Sequence, residues 1–376
     1  MEQIYAGQVS LVIYLHDLSG GGAERANLRL AAEFIKLGWK VTFLIDRAIG
    51  ELASHIPPTC PIKVLECEHF RALPRIIRFL RQTQPDVLIA NSEDTNVVAI
   101  LAGRLARTST RIVVAQRCTL SQQVKRLAWK YRLFSPIYGM TLPFADAIIA
   151  VSAGVADDLA AYTGVAREDI TVIRNGVVTA DFEALASSGS PHRWFDERPP
   201  VILGMGRLVP QKDFKSLIVA LGFIKDLTDA RLLILGEGPL RGELERFAQS
   251  LGLADRVALP GFVDNPLPFL RRASLFVLAS RFEGYPNAMA EALACGTPVV
   301  STDCPHGPRE ILDAGRFGRL VPVADSAALG RAILSSLSAP PDRGSLKAHG
   351  RTFTVESCAA AYRHLISGLL EPAVTH

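Results

Sequence analysis

An α/β fold of two doubly wound, Rossmann-like domains facing a cleft is what the sequence predicts, on three observations. The chain has 376 residues, too many for one ordinary hydrophobic core and about right for two. Short aliphatic runs alternate with amphipathic stretches of helical period along most of it, the pattern of a parallel sheet with crossover helices. Each half also opens alike, with a strand running into glycine and then a helix. Hydrophobic residues make up 49% and charged residues 21%, a globular balance that excludes disordered and coiled-coil classes.

In the first half strands are read at Val9–Leu15, Lys40–Ile45, Ile62–Leu65, Val87–Ala90, Ile112–Ala115, Ala147–Val151 and Thr171–Ile173. Aromatics are few, and the branched aliphatics and alanine of these runs suit a buried sheet. Helices fall at Gly22–Leu37 and Arg71–Gln82, the latter with Leu73, Ile76, Ile77 and Leu80 on one face and four arginines on the other. In the second half strands are read at Val201–Met205, Arg231–Leu235, Val257–Leu259, Leu275–Ala279, Pro298–Ser301 and Arg319–Val321. Small residues and Pro-His and Pro-Pro pairs mark 181–200 as a linker between domains at 1–180 and 201–350.

Composition narrows the function. No apolar run reaches the ~20 residues that span a bilayer, and Met1–Gln8 lacks the basic and apolar regions of a leader. The six cysteines are scattered without a C-x-x-C pair, so the expectation is a reduced, cytoplasmic protein without structural zinc. Net charge is only +4, yet no acidic residue lies between Thr95 and Ala145, where Arg104, Arg107, Arg111, Arg117, Lys125, Arg126, Lys130 and Arg132 fall. Something anionic is expected to approach this half. The helix read at Ser121–Phe134 mixes Trp129 and Tyr131 with cations, the composition of an interfacial helix on an anionic membrane surface. No aromatic-studded platform supports nucleic acid as the partner.

The stretch 280–298 is richest in chemistry. Glu283 lies in a loop at a strand end and Glu291 about one turn into a helix started by Pro286 and Asn287. Strand ends are where doubly wound sheets bind ligands; a carboxylate one turn deeper suits two hydroxyls of a ribose. Taken alone, two glutamates at this spacing also fit a loop cap and a local ion pair. Gly206-Arg207 with Lys212, Gly236-Glu237-Gly238-Pro239 and Gly261-Phe262-Val263 follow other strands of the same half. In a parallel sheet these loops share one edge.

The ordered set Gly-Gly-Gly-Ala-Glu-Arg (20–25), Gly-Arg-Leu with Lys212, Gly-Glu-Gly-Pro (236–239), Glu-Gly-x-Pro-Asn-x3-Glu-Ala (283–292) and Gly-Thr-Pro-Val-Val (296–300) resembles the retaining glycosyltransferases of group 1, with the GT-B fold. The resemblance covers nearly the whole chain. It implies that Arg207 and Lys212 clamp the donor diphosphate, Glu283 lies near the donor sugar, and Glu291 holds the ribose. Gly284, Tyr285, Pro286 and Asn287 form the loop contacting sugar and phosphate, Gly21 and Gly22 face the diphosphate, and Glu237, Phe262 and Val263 frame the base. It implies a C-terminal helix within 351–376 packing back on the N-terminal domain. It implies front-face substitution, with the leaving phosphate taking the acceptor's proton.

The expected reaction moves a hexose or N-acetylhexosamine from a nucleotide sugar, UDP-linked by default, to a lipid-linked saccharide of a cell-surface glycan. The chain lacks D-x-D, so no metal and no cofactor are expected; two cations and helix N-termini would take up the leaving charge. One departure stands out: where relatives carry a His at a strand end, the residues are Gln116 and Arg117. These two, or His16, are candidates for acceptor or phosphate contact. A sugar-nucleotide epimerase or phosphorylase, or a non-catalytic nucleotide-sugar-binding subunit, are the alternatives. A peripheral location on the cytosolic membrane face is expected.

Overall fold

The computed structural model describes residues 8–19, 21–47, 50–67, 69–122, 136–189 and 192–371. The chain forms two compact units, one holding residues up to Gly176 and from Val355 on, the other Val177–Thr354.

Among the described residues the first unit carries seven strands: β1 (Ser10–Leu15), β2 (Lys40–Ile45), β3 (Ile62–Val64), β4 (Val87–Ala90), β5 (Arg111–Gln116), β6 (Ala147–Ala150) and β7 (Ile170–Val172). They form one sheet in the order β3-β2-β1-β4-β5-β6-β7, with every pairing parallel. In β1, Leu11 to Tyr14 are buried at every position, as expected of a central strand covered on both faces. Helices Gly22–Lys36, Leu73–Thr83, Glu93–Ala106 and Ala153–Thr163 connect the strands. The helix read from Arg71 starts at Leu73 instead, after a 3-10 turn His69–Ala72, and buries Ile76 and Leu80. Pro74 at its start explains the shift, since proline suits a first turn. The last helix, Val355–Leu370, belongs to this unit: it buries Ala359, Tyr362 and Ile366, and Tyr362 meets the Phe34 ring edge-on.

The second unit has six parallel strands among the described residues, β8 (Val201–Met205), β9 (Arg231–Leu235), β10 (Val257–Gly261), β11 (Leu275–Leu278), β12 (Val299–Thr302) and β13 (Arg319–Val321), in the order β10-β9-β8-β11-β12-β13. Leu217, Ile218 and Leu221 of the helix Phe214–Ile224, with Leu329 and Ile333 of Ser326–Ser338, cover one core. Residues 181–200, read as a linker, carry a helix Phe182–Ala186 and a 3-10 turn Arg193–Asp196 within this unit. Phe182 and Trp194 are buried, and Glu183 pairs with Arg271 at 2.7 Å and Lys347 at 2.6 Å, and with Arg351. These cations, Lys347 first, hold the Glu183 carboxyl down to about 2. Where the chain enters and leaves this unit, the Phe353 carbonyl accepts from the Val177 and Val178 amides at 2.9 and 3.0 Å. No described helix is long and apolar enough to cross a membrane.

Candidate active site

In each sheet the strand order reverses at the first strand, β1 or β8, whose neighbours are reached by connections running in opposite directions. Loops leaving the C-terminal ends on either side diverge there, and the crevice between them is where open α/β sheets take ligands.

In the second unit the five loops on this edge are sewn together through backbone bonds. Gly236 N donates to Gly261 O at 2.8 Å and Leu208 N to Glu237 O at 2.8 Å, joining the loops after β10, β9 and β8. Arg281 N donates to Gln211 O at 2.8 Å and Glu283 N to Pro305 O at 3.1 Å, extending the chain to the loops after β11 and β12. Such close approach needs glycine at two positions. Gly236 has φ +130°, and a Cβ there would fall 2.1 Å from Gly206 O. Gly307 has φ +89°, and its Cβ would meet Pro286 Cδ at 2.6 Å and Gly284 O at 3.0 Å. Both combine a left-handed backbone with a neighbour that a side chain would strike.

Lys212 ends a 3-10 turn, Pro210–Lys212, beyond β8. Its Nζ donates to Glu283 Oε1 at 2.6 Å, and Ser280 Oγ donates to the same oxygen at 2.6 Å. The Lys212 side chain is 18% exposed and that of Glu283 7%, so the charged pair is largely withdrawn from water and held by both loops. Gln211 Nε2 donates to Phe282 O at 3.0 Å, and Arg281 Nε to Asp213 Oδ2 at 2.9 Å, clamping the loops on either side of the pair. Arg207 is exposed. Glu291 lies buried in the helix Asn287–Ala294.

The two glutamates also mark the local field. Burial, then the Glu291 charge, pushes the Cys295 thiol up to about 12; burial, then Glu283, does the same to Cys304. Neither thiol is a nucleophile at neutral pH. Gly284, Tyr285, Pro286 and Asn287 are buried in the loop that Gly307 backs. Glu237 is exposed and accepts from Arg241 Nη1 at 2.7 Å, while Phe262 and Val263 follow β10 half-buried. Arg309 turns away to Asp303, with Nε 3.1 Å from Oδ1. Among the described residues no three His, Cys, Asp or Glu side chains gather as a metal site requires.

In the first unit Gly21 precedes the helix that Gly22 begins, and Gly20 lies outside the described residues. Gln116 and Arg117 sit at the end of β5 but are committed to the fold. Gln116 is buried; its Nε2 donates to Glu93 Oε1 at 2.6 Å and Cys118 O at 2.7 Å, and its Oε1 accepts from Tyr138 OH at 3.0 Å. The Arg117 guanidinium donates to Asn91 Oδ1 at 2.7 and 3.1 Å, Asn175 Oδ1 at 2.6 Å, Asn27 Oδ1 at 3.2 Å and Tyr362 OH at 3.3 Å. Both side chains join a network inside the unit, where buried amide oxygens need donors. His16 differs: Nδ1 stands 3.0 Å from Asp46 Oδ2, and the ring stays partly exposed. Apart from Ser121 and Gln122, the helix read at Ser121–Phe134 lies outside the described residues. Sequence reading missed Asp46, Ser280, Gln211 and Asp213; strand ends after β2, β8 and β11 were the available signal.

Two Rossmann-like sheets, with a lysine–glutamate pair at the switch point of the second, make up a protein of the GT-B class. Residues 199–339 match the family Glycosyl transferases group 1, and residues 20–181 match Glycosyltransferase Family 4. The lipopolysaccharide core biosynthesis glycosyltransferase LpsE of Rhizobium meliloti is 32% identical, over 95% of this chain and 98% of its own. The N-acetylgalactosamine-N,N'-diacetylbacillosaminyl-diphospho-undecaprenol 4-alpha-N-acetylgalactosaminyltransferase of Campylobacter jejuni is 28% identical, over 91% of this chain and 94% of its own. The crystal structure of Anabaena HepE in complex with UDP and glucose shares the fold, with TM-score 0.77 and 20% identity, covering 95% of this chain and 98% of that one. The chain belongs to the group 1 glycosyltransferases.

Proposed function

We propose that this glycosyltransferase moves a hexose or N-acetylhexosamine, with retention and without a divalent metal, from a UDP-sugar to a lipid-linked saccharide of a cell-surface glycan. The observation carrying this reading is the withdrawn Lys212–Glu283 pair at the β8/β11 switch point, with exposed Arg207 on the loop after β8. Breaking the sugar–phosphate bond loads charge onto a departing diphosphate. A fixed ammonium and a guanidinium stabilise that charge without reorganisation, which is the largest kind of catalytic term. Glu283, already holding the lysine, positions the donor sugar, and Glu291 takes the ribose hydroxyls. The names of the relatives support the donor and acceptor classes: UDP for HepE, a diphospho-undecaprenol saccharide for the Campylobacter enzyme. Exposed Ile137, Met140 and Phe144, with Arg104 over the Phe144 ring at 5.0 Å, support peripheral docking on an anionic membrane.

The test is transfer from a panel of nucleotide sugars to lipid-linked saccharides, with and without EDTA. Lys212→Ala and Arg207→Ala are each expected to lower kcat by about 10²–10³-fold, the scale of losing one charge-stabilising donor. Activity abolished by EDTA and restored by magnesium ends the metal-free reading. A glycosyl adduct trapped on Glu283 makes that residue a nucleophile instead.

A further inference from the structure

The chain leaves its second unit after Thr354, and the residues just before that exit stand behind two loops of the donor edge. The helix Arg343–Gly350 packs on the helix Asn287–Ala294, which carries Glu291, almost backbone to backbone. A Cβ at Gly350 would fall 2.1 Å from Ala294 N, an approach that only glycine allows. Arg351 Nε then donates to Ala294 O at 3.2 Å. These contacts fix the helix of Glu291 without using a ring.

Two rings beside that contact reach further. His349 Nε2 lies 2.8 Å from Ile311 O; a carbonyl only accepts, so Nε2 carries the hydrogen and donates it. Ile311 ends the short helix Pro308–Ile311, and its amide donates to Gly307 O at 3.0 Å. The histidine therefore holds the loop after β12 at the glycine that backs Pro286. Its ring stacks on Phe317 with centroids 3.8 Å apart and meets Phe353 edge-on at 5.1 Å. Phe353 in turn meets Tyr285 edge-on at 6.5 Å, within the range where aromatic edges and faces attract. Tyr285 is buried in the loop 283–287 that follows Glu283. The backbone of Phe353 is itself pinned, since its carbonyl accepts from both Val177 and Val178.

We propose that His349 and Phe353 are positioning residues for the donor sugar, the first holding the loop 306–311 and the second the loop 283–287; this rests on the transferase reading above. They act through Ile311 and Tyr285 and take no part in the chemistry. Together they set the spacing of two loops that are already joined by the bond from Glu283 N to Pro305 O at 3.1 Å. The nucleotide end depends on them less, because Glu291 rides on a helix fixed by the Gly350 approach. Loosening either ring therefore weakens the hold on the sugar and spares the hold on UDP.

The experiment compares the KM of the UDP-sugar turned over in the transfer panel with the calorimetric Kd of UDP alone, and adds hydrogen exchange of the unliganded chain. Phe353→Leu removes a ring and stays apolar, whereas His349→Phe keeps the stack and removes the donated hydrogen bond. Each should raise the KM about tenfold, since misplacement on the order of 1 Å can cost ~10²-fold. The UDP Kd should stay at its wild-type value, and Phe353→Tyr, which keeps the ring, should restore the KM. The Glu283 amide in Phe353→Leu and the Ile311 amide in His349→Phe should exchange faster, while those of the second sheet do not. If one variant fails to fold, the other carries the test. An unchanged KM overturns the proposal. So does a UDP Kd that rises as far as the KM, which makes the rings a support for the whole unit. A wild-type chain that uses no UDP-sugar overturns the transferase reading instead, and the exchange rates still decide whether the rings hold the loops.

Discussion

Glu93 shows what a single side chain does when topology leaves it no water. It opens the helix Glu93–Ala106, is buried, and accepts from Gln116 Nε2 at 2.6 Å. Burial, the largest influence, raises its pKa above the ordinary 4.5. A raised carboxyl pKa means that the folded state binds its proton more tightly than the unfolded state. The stability it contributes is therefore full below about 4.5 and is lost as pH rises through the folded value. Glu93→Gln keeps an oxygen for Gln116 and removes the ionisation. The melting temperature of the variant should exceed wild type at neutral pH, with the gap closing towards pH 4; equal curves across pH 4–8 contradict the raised value. Little of this was legible. Gln116 and Arg117 read as cations and amides at a strand end, and the sequence does not say whether such a residue faces a ligand or the interior. The oxygens that claim Arg117 come from Asn27, Asn91, Asn175 and Tyr362, as far as 245 positions away.

At the level of elements, the strands were legible because aliphatic runs buried on both faces leave an unmistakable pattern, and each β segment falls within a residue or two of its reading. The loops of the donor edge were legible as glycines and glutamates but not as a stitched edge, since backbone bonds carry no residue signature. Gly307 is the test of that edge. Alanine there must adopt φ +89° and press on Pro286 and Gly284, so the loop 283–287 should shift while both sheets persist. Donor KM should rise about tenfold or more, since misplacement on the order of 1 Å can cost ~10²-fold. An unchanged KM places the donor elsewhere. Arg117 makes the matching test in the first unit, because it ties the ends of β4, β5 and β7 and the helix Gly22–Lys36 to the helix Val355–Leu370. Arg117→Met leaves buried amide oxygens without their donor and should cost about 1–3 kcal/mol of stability for each oxygen left unsatisfied, read as a lowered denaturant midpoint with UDP affinity retained. Loss of UDP binding in a folded Arg117→Met chain favours the phosphate contact first expected of it.

At the scale of the molecule, the chain leaves its first unit at Gly176 and returns at Val355, so the last helix completes a core begun far earlier. Deleting everything after Thr354 removes Tyr362 and Ile366 from the first unit, and with them a partner of Arg117 and the ring packed on Phe34. The second unit loses nothing internal, since Phe353 still accepts from Val177 and Val178. Calorimetry should therefore resolve two transitions in the shortened chain, the lower one belonging to the first unit. UDP should raise only the upper transition, by about 2.7 kcal/mol at one hundred times its Kd. The reverse result, a lower transition that responds to UDP, would assign the nucleotide to the first sheet. The Lys212–Glu283 pair would then be no more than a buried ion pair.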